Sequence, residues 1–169
     1  GRSNFAGSVL NRAFNVRKAL NEYVHGVFLA QGETFSFGNL FRSSISSSNG
    51  WKMAMGIFDG SRLEATPGGG ICQSSTTIYR AALLAGLPVL THFHHSMYIK
   101  FYAMHGEGLD ATYYPGSKDL KFLNDTGSPI LIQAYDDAEE AIVEIYGTPD
   151  GRSVSLEGPY RASNAPENV

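Results

Sequence analysis

Cysteine is almost missing from this chain. Cys72 is the only one in 169 residues, which excludes an internal disulfide framework and any zinc site built from several thiolates. Long apolar runs are missing as well, and stretches such as Ala81 to Ala85 fall far short of the roughly 20 residues that span a bilayer. Positive charge is scarce: 13 lysines and arginines face 16 acidic residues for a net charge of -3. With no basic run interleaved with aromatics, nucleic acid and anionic membrane surfaces are not expected partners. There is no internal repeat, and no secretory signal opens the chain, which starts at Gly1-Arg2-Ser3 as an excised domain would. What is present, 43% hydrophobic residues, suffices for one well-buried core. Residues 1–150 are expected to form one domain and 151–169 a tail or linker, weakly ordered from Ser153 on.

Apolar positions Val9, Ala13, Val16, Leu20 and Tyr23 recur at helical spacing, with Ser8 placed to cap the helix and Gly26 to end it. Val27 to Ala30 and Thr34 to Phe37 read as short strands around the turn Gln31-Gly32-Glu33. Serine-rich Ser43 to Gly50 reads as a surface loop, and Met53 to Phe58 as a strand leading through Asp59-Gly60 to a run of three glycines. A second helix is predicted from Ile71 to Ala85, closed by Gly86 and Pro88. Beyond it Val89 to Phe93, Met97 to Tyr102, Leu109 to Tyr113, Ile130 to Tyr135 and Ala141 to Tyr146 have strand character. Helix, strands, helix, then many strands is the order of an α+β domain with a mainly antiparallel sheet and a central helix that carries the cysteine.

The most informative segment is Pro67-Gly68-Gly69-Gly70-Ile71-Cys72-Gln73-Ser74-Ser75. It sets the lone thiol at a helix start, where unsatisfied amides and the positive dipole end favour thiolate. The glycines allow an incoming carbonyl to approach the backbone closely. Both features suit acyl transfer through a thioester. The plainer reading of a lone cysteine is a small buried hydrophobe. Partial exposure in a groove and a thiol pKa at or below neutrality are what the catalytic reading expects.

A thiol nucleophile needs a base, and the base a partner that fixes its tautomer. His94-His95-Ser96 and Gly108-Leu109-Asp110-Ala111-Thr112 supply both types, so that His95 and Asp110 on neighbouring strands are placed to meet beneath the cysteine helix. His92 and His94 share the opposite strand face and invite a metal reading. No further carboxylate or cysteine stands at ligand spacing, and no metal or other cofactor is expected. Asp110 has an alternative role as a turn carboxylate that caps backbone amides. Trp51, Tyr98, Tyr102 and Tyr113 are candidates to line a groove, with core packing as their alternative.

Several blocks together, among them Asn15-Val16, Gly32-Glu33-Thr34-Phe35-Ser36-Phe37, Gly68 to Thr77, His95-Ser96, Gly108 to Thr112 and Asp119 to Asn124, resemble the VanW-like domain of bacterial cell-envelope proteins. The resemblance runs in order from about Asn11 to Gly147. Gln31 departs from it where proline is common, and His92-Phe93-His94 replaces a segment that usually contains arginine.

The family was named for an association with glycopeptide resistance, and its members are regarded as L,D-transpeptidases of peptidoglycan. The resemblance therefore implies that Cys72 attacks the third residue of a donor stem peptide, expels the terminal D-alanine and passes the acyl group to an amine of an acceptor stem. In that scheme His95 is the base, Asp110 orients it, and Gly69, Gly70 and Gln73 hold the oxyanion and substrate. It also implies an extracytoplasmic place in the bacterial cell envelope and flanking wall-binding domains. The order cysteine, histidine, aspartate further resembles a transglutaminase or papain-like plan, so a cysteine amidase, peptidase or carboxypeptidase is an alternative. A third is a non-catalytic peptidoglycan-binding module. Arg80 and Lys121 are open candidates for binding a substrate carboxylate.

Overall fold

A computed structural model describes residues 1–41, 45–58 and 62–160. It is a mixed α+β fold in which every strand pairing is antiparallel. Strands β1 (Arg2–Asn4), β2 (Val27–Leu29), β8 (Ile130–Asp137) and β9 (Glu140–Tyr146) form a four-stranded sheet in the order β1-β9-β8-β2. A second sheet runs β3 (Thr34–Ser36), β7 (Lys121–Leu123), β6 (Val89–Thr91), and a hairpin joins β4 (Met53–Phe58) to β5 (Arg62–Pro67). The helices are α1 (Leu10–Lys18), continued in π-helical form over Ala19–Val24, the short α2 (Phe37–Phe41) and α3 (Cys72–Leu84). Among the described residues no helix is long and apolar enough to cross a membrane.

The first helix forms because its apolar positions fall on one stripe. Ala13, Val16, Ala19, Leu20 and Val24 are all buried and pack against Ile130, Ile132 and Ala134 of β8 in one continuous core. Phe35 and Phe122, register partners in β3 and β7, stack with centroids 4.6 Å apart. Each is almost fully buried, and such burial contributes about 2–3 kcal/mol per side chain.

Helix α3 is the least ordinary element. Ten consecutive residues, Gln73 to Ala82, are buried, and five of the first six are polar. Burial of that many hydroxyls is tolerated only where each finds a partner. Here Ser75 Oγ and Thr76 Oγ1 donate to the Ala111 carbonyl at 2.5 and 3.2 Å, and the Ala111 N–H donates back to Thr76 Oγ1 at 3.0 Å. Thr77 Oγ1 meets Ser3 Oγ of β1 at 2.6 Å.

Several sequence expectations are corrected. Ser8 does not cap α1: the helix begins after Val9, and the Ser8 hydroxyl accepts from Arg12 instead. Met97 to Tyr102 is no strand, because the chain turns there into a 3₁₀ helix at Lys100–His105. Leu109 to Tyr113 is irregular too: its backbone is satisfied largely by side chains of α3, Arg80 and His92 in place of a neighbouring strand. Strand β6 ends at Thr91, so His94 and His95 lie beyond it. The sequence reading missed β1, β5, β7 and α2. Its expectations for Ser43-Ser44, for Asp59-Gly60 and for the tail past Tyr160 lie outside the described residues.

Candidate active site

Cys72 is the first residue of α3 and is half-buried. Three glycines place it. A Cβ on Gly69 would sit 2.1 Å from the Ala54 carbonyl oxygen of β4, so only glycine allows that close backbone crossing. Gly70 adopts φ +99°, in the left-handed region. Asn15, fully buried on α1, fixes the loop from behind: its Nδ2 donates to the carbonyls of Lys52 and Gly69 at 2.9 and 3.0 Å, and its Oδ1 accepts from the Lys52 N–H.

The structure brings His95 and Asp110 to the thiol, although neither is on a strand. Asp110 Oδ2 accepts His95 Nδ1–H at 2.5 Å and the His95 backbone N–H at 2.8 Å. The His95 side chain is only 5% exposed. It also stands near enough to the Cys72 sulfur for each group to shift the other's ionisation. Burial alone would make that imidazole more acidic, but the Asp110 carboxylate and the Cys72 thiolate overcome it and raise its pKa to about 9. Burial likewise opposes ionisation of Cys72. The hydrogen bond and charge of His95, then the Tyr113 backbone and the Thr112 hydroxyl, outweigh that burial and hold the thiol below its ordinary value. Both directions favour a thiolate–imidazolium pair over the neutral pair. Asp110 is shifted below the usual carboxylate range against its burial, chiefly by its hydrogen bonds to His95.

The other histidines stand apart from the sulfur. His92 stacks on Tyr79 with centroids 4.2 Å apart, and its Nε2–H donates to the Asp110 carbonyl at 2.7 Å. Exposed His94 places Nδ1 3.2 Å from Asp110 Oδ1. Asp119 accepts from Ser36 Oγ and the Gly38 N–H, away from the ring of His95.

Two of the residues expected at the oxyanion are corrected. Gln73 turns its side chain away: Nε2 donates to Ser3 Oγ and to the Asn4 carbonyl, both at 3.0 Å, and its backbone N–H is used by the Gly70 carbonyl. The Gly69 N–H is bound to the Thr66 carbonyl at 3.2 Å. Among the described residues the N–H groups of Gly70 and of Cys72 itself make no backbone hydrogen bond. Arg80 is no ligand for a carboxylate either. Only 2% exposed, it spends its guanidinium on the carbonyls of Arg2, Tyr102, Gly106 and Leu109 at 2.7 to 3.0 Å. Trp51 is buried in packing, whereas Tyr102, also largely buried, lines with Tyr98 the cavity that contains His95 and Asp110.

Tyr113, expected to line a groove, and Thr112, which the sequence reading gave no role, complete the surroundings. The Cys72 sulfur lies 3.4 Å from both the N–H and the carbonyl oxygen of Tyr113 and 3.7 Å from Thr112 Oγ1. Their adjacency to Asp110 in the chain was the available signal. Three cavities border this group. One of about 370 Å³ contains Cys72 and the three glycines, one of about 760 Å³ adjoins it across Ile45, Tyr113 and Pro115, and one of about 250 Å³ contains His95 and Asp110.

Comparison with known proteins agrees with the glycine–cysteine block. The model of the family described as VanW like protein matches residues 11–146. The uncharacterized protein YoaR of Bacillus subtilis is 31% identical over 168 residues, covering 98% of this chain and 52% of the relative. The vancomycin B-type resistance protein VanW of Enterococcus faecalis is 29% identical over 138 residues, covering 80% of this chain and 49% of the relative. The chain thus spans about half the length of both. No solved structure gives a significant match.

Proposed function

The chain belongs to the VanW-like protein family, and from that premise we propose that it is a cysteine-dependent L,D-transpeptidase that cross-links peptidoglycan stem peptides through a thioester. The observation that carries the reading is Cys72, at the start of a glycine-preceded helix, coupled electrostatically to a buried His95 that is hydrogen-bonded to Asp110. We read the chain order of nucleophile, base and orienting carboxylate as a transglutaminase or papain-like plan.

In this scheme the Cys72 thiolate attacks the carbonyl carbon of the third stem residue. The oxyanion forms against the N–H groups of Gly70 and Cys72. His95 then gives its Nε2 proton to the departing amine as the C–N bond to D-alanine breaks, leaving the acyl group on sulfur and a neutral imidazole. An acceptor amine attacks the thioester, His95 takes its proton, and the C–S bond breaks to return the thiolate–imidazolium pair. Asp110 holds the imidazole in one tautomer throughout and stabilises its charged form.

Transfer must outcompete water at ~55 M, so the acceptor has to be bound and oriented beside the thioester. Room on both sides of the triad supports this: the donor enters from the two adjoining cavities on the cysteine side, and the acceptor amine from the cavity lined by His95. An extracytoplasmic site of action follows from the substrate, and flanking domains of a longer protein would supply wall binding.

Incubation of the protein with tetrapeptide muropeptides, followed by mass spectrometry, tests the proposal. Dimers joined between third-position residues, with D-alanine released by the wild type and not by Cys72→Ala, are expected. Tripeptide monomers with D-alanine would identify a carboxypeptidase. No change, with Cys72 refractory to a carbapenem, would leave a wall-binding module.

A further inference from the structure

The larger cavity beside the cysteine pocket has a chemistry of its own. Its volume of about 760 Å³ lies in the range of sites that enclose a ligand, and it adjoins the cysteine pocket across Ile45, Tyr113 and Pro115. Tyr113 holds Sγ with its backbone and lines both cavities. The partition is built: the Tyr114 and Lys118 backbones exchange two hydrogen bonds of 2.9 Å, and that tight turn presents Pro115 to both cavities and Gly116 to Lys118 to the larger one alone.

The charges in this cavity are unbalanced. Lys118 and Lys121 line it with one carboxylate, Asp119. Both Asp119 oxygens are already used, Oδ2 by Ser36 Oγ at 2.7 Å and Oδ1 by the Gly38 N–H at 2.8 Å, and Lys121 Nζ stands 4.0 Å from Oδ2. Among the described residues Lys118 makes no ion pair. Asn39, Thr91 and Ser117 add neutral polar groups, and Phe93 and Tyr113 form an apolar wall. Two half-exposed cations on one rim, beside an apolar wall, suit an anionic group on an otherwise extended ligand.

We infer that this cavity is a subsite for a carboxylate of the acyl-donor peptide, bound by Lys118 and Lys121. The inference rests on the proposed acyl transfer for the identity of the peptide. A chain whose reacting carbonyl sits at Cys72 continues over Tyr113 into the cavity. The carboxylate would fix its register so that one particular carbonyl faces the sulfur.

The test is a binding cycle on Cys72→Ala protein, which removes the chemistry and leaves both cavities. Affinity is measured by calorimetry for a tetrapeptide muropeptide and for the same muropeptide with its peptide carboxylates converted to carboxamides, with and without the pair Lys118→Met and Lys121→Met. Amidation and the double substitution are each expected to raise Kd about tenfold, the order that two half-exposed ion pairs supply, and together to do no more than either alone. Equal losses on amidation in both backgrounds, or no loss, overturn the inference. If the double variant does not melt cooperatively, Lys118→Gln and Lys121→Gln are taken singly, with a salt titration of the unsubstituted lysines as a further readout: affinity that is independent of ionic strength overturns the subsite. Muropeptide turnover by the wild type is read separately. Release of D-alanine with an uncoupled cycle removes only the subsite, whereas a coupled cycle without turnover keeps the subsite and removes acyl transfer. Absence of measurable binding removes both.

Discussion

Asp110 grips His95 twice with one oxygen, accepting its backbone N–H at 2.8 Å and its ring Nδ1–H at 2.5 Å. The residue that sets the charge of the imidazole therefore also sets the place from which its side chain departs. Orientation and basicity are controlled by a single carboxylate, and most of the predictions below follow from that.

Asp110→Asn retains an acceptor for the backbone N–H and loses the charge. Transfer activity should fall by about 10²- to 10³-fold, and the His95 pKa should drop from about 9 towards the ordinary imidazole value. Rate measurement and an NMR titration of the ring check both parts. Unchanged activity would show that Asp110 merely caps the loop.

Alkylation of Cys72 by iodoacetamide should reach half its maximal rate below the ordinary thiol pKa, because His95 favours the ionised sulfur. His95→Ala removes that support but leaves the burial, so its profile should move above the free-thiol range. His92→Ala should leave it close to wild type. A wild-type rate that climbs steadily through pH 8 to 9 would refute the ion pair.

Stability should carry the same signature. The folded-state pKa of His95 is raised to about 9 from an unfolded value near 6.5, so the contribution of its charged form is fully present below pH 6.5 and is lost as pH rises through 9. Its size is on the order of 3 kcal/mol. In a Cys72→Ala background, which removes the thiol's own titration, the advantage in melting temperature of His95 over His95→Ala should accordingly shrink between pH 6.5 and 9.5. An advantage that grows over that interval would contradict the sign.

Gly69→Ala forces a methyl against the Ala54 carbonyl, 2.1 Å away in the present geometry. Either β4 or the cysteine loop must move. A loss of about 2–4 kcal/mol in denaturant unfolding is expected, together with an alkylation profile shifted towards a free thiol. A variant as stable and as reactive as wild type would show that the loop is held by something other than this crossing.

Arg80→Met leaves four carbonyls without their buried donor and should destabilise the fold by about 2–4 kcal/mol. Hydrogen exchange in residues 100–109 should quicken first, since three of those carbonyls belong to Tyr102, Gly106 and Leu109. Reduced substrate affinity with undiminished stability would reverse this assignment.

What the sequence revealed depended on whether a signal was local. The glycines before Cys72 and the periodicity of Ile71, Ser75, Ile78 and Ala82 with Leu83 foretold a helix with the thiol at its start, and His95 with Asp110 stood out because a nucleophile demands such partners. Strand character failed where side chains took over the ladder: Leu109 to Tyr113 has the apolar alternation of a strand, but Ser75, Thr76 and Arg80 bind its backbone. The three-residue strands β1 and β7 are too short to show a period. Gln73 looked like a donor to substrate because its neighbour is the nucleophile. One residue along a helix is a turn of about 100°, enough to face it towards Ser3 and Asn4.

The hydroxyls of Ser75 and Thr76 that clasp Ala111 have a mechanical meaning. Nucleophile and orienting carboxylate are three and one residues respectively from that clasp, counted from Ser75 to Cys72 and from Ala111 to Asp110, so they are mounted on a common bracket whose halves come from distant parts of the chain. When the surrounding sheets breathe, the two groups ride together. The spacing on which proton transfer depends is thereby insulated from motions that would blur a site assembled from independently anchored loops.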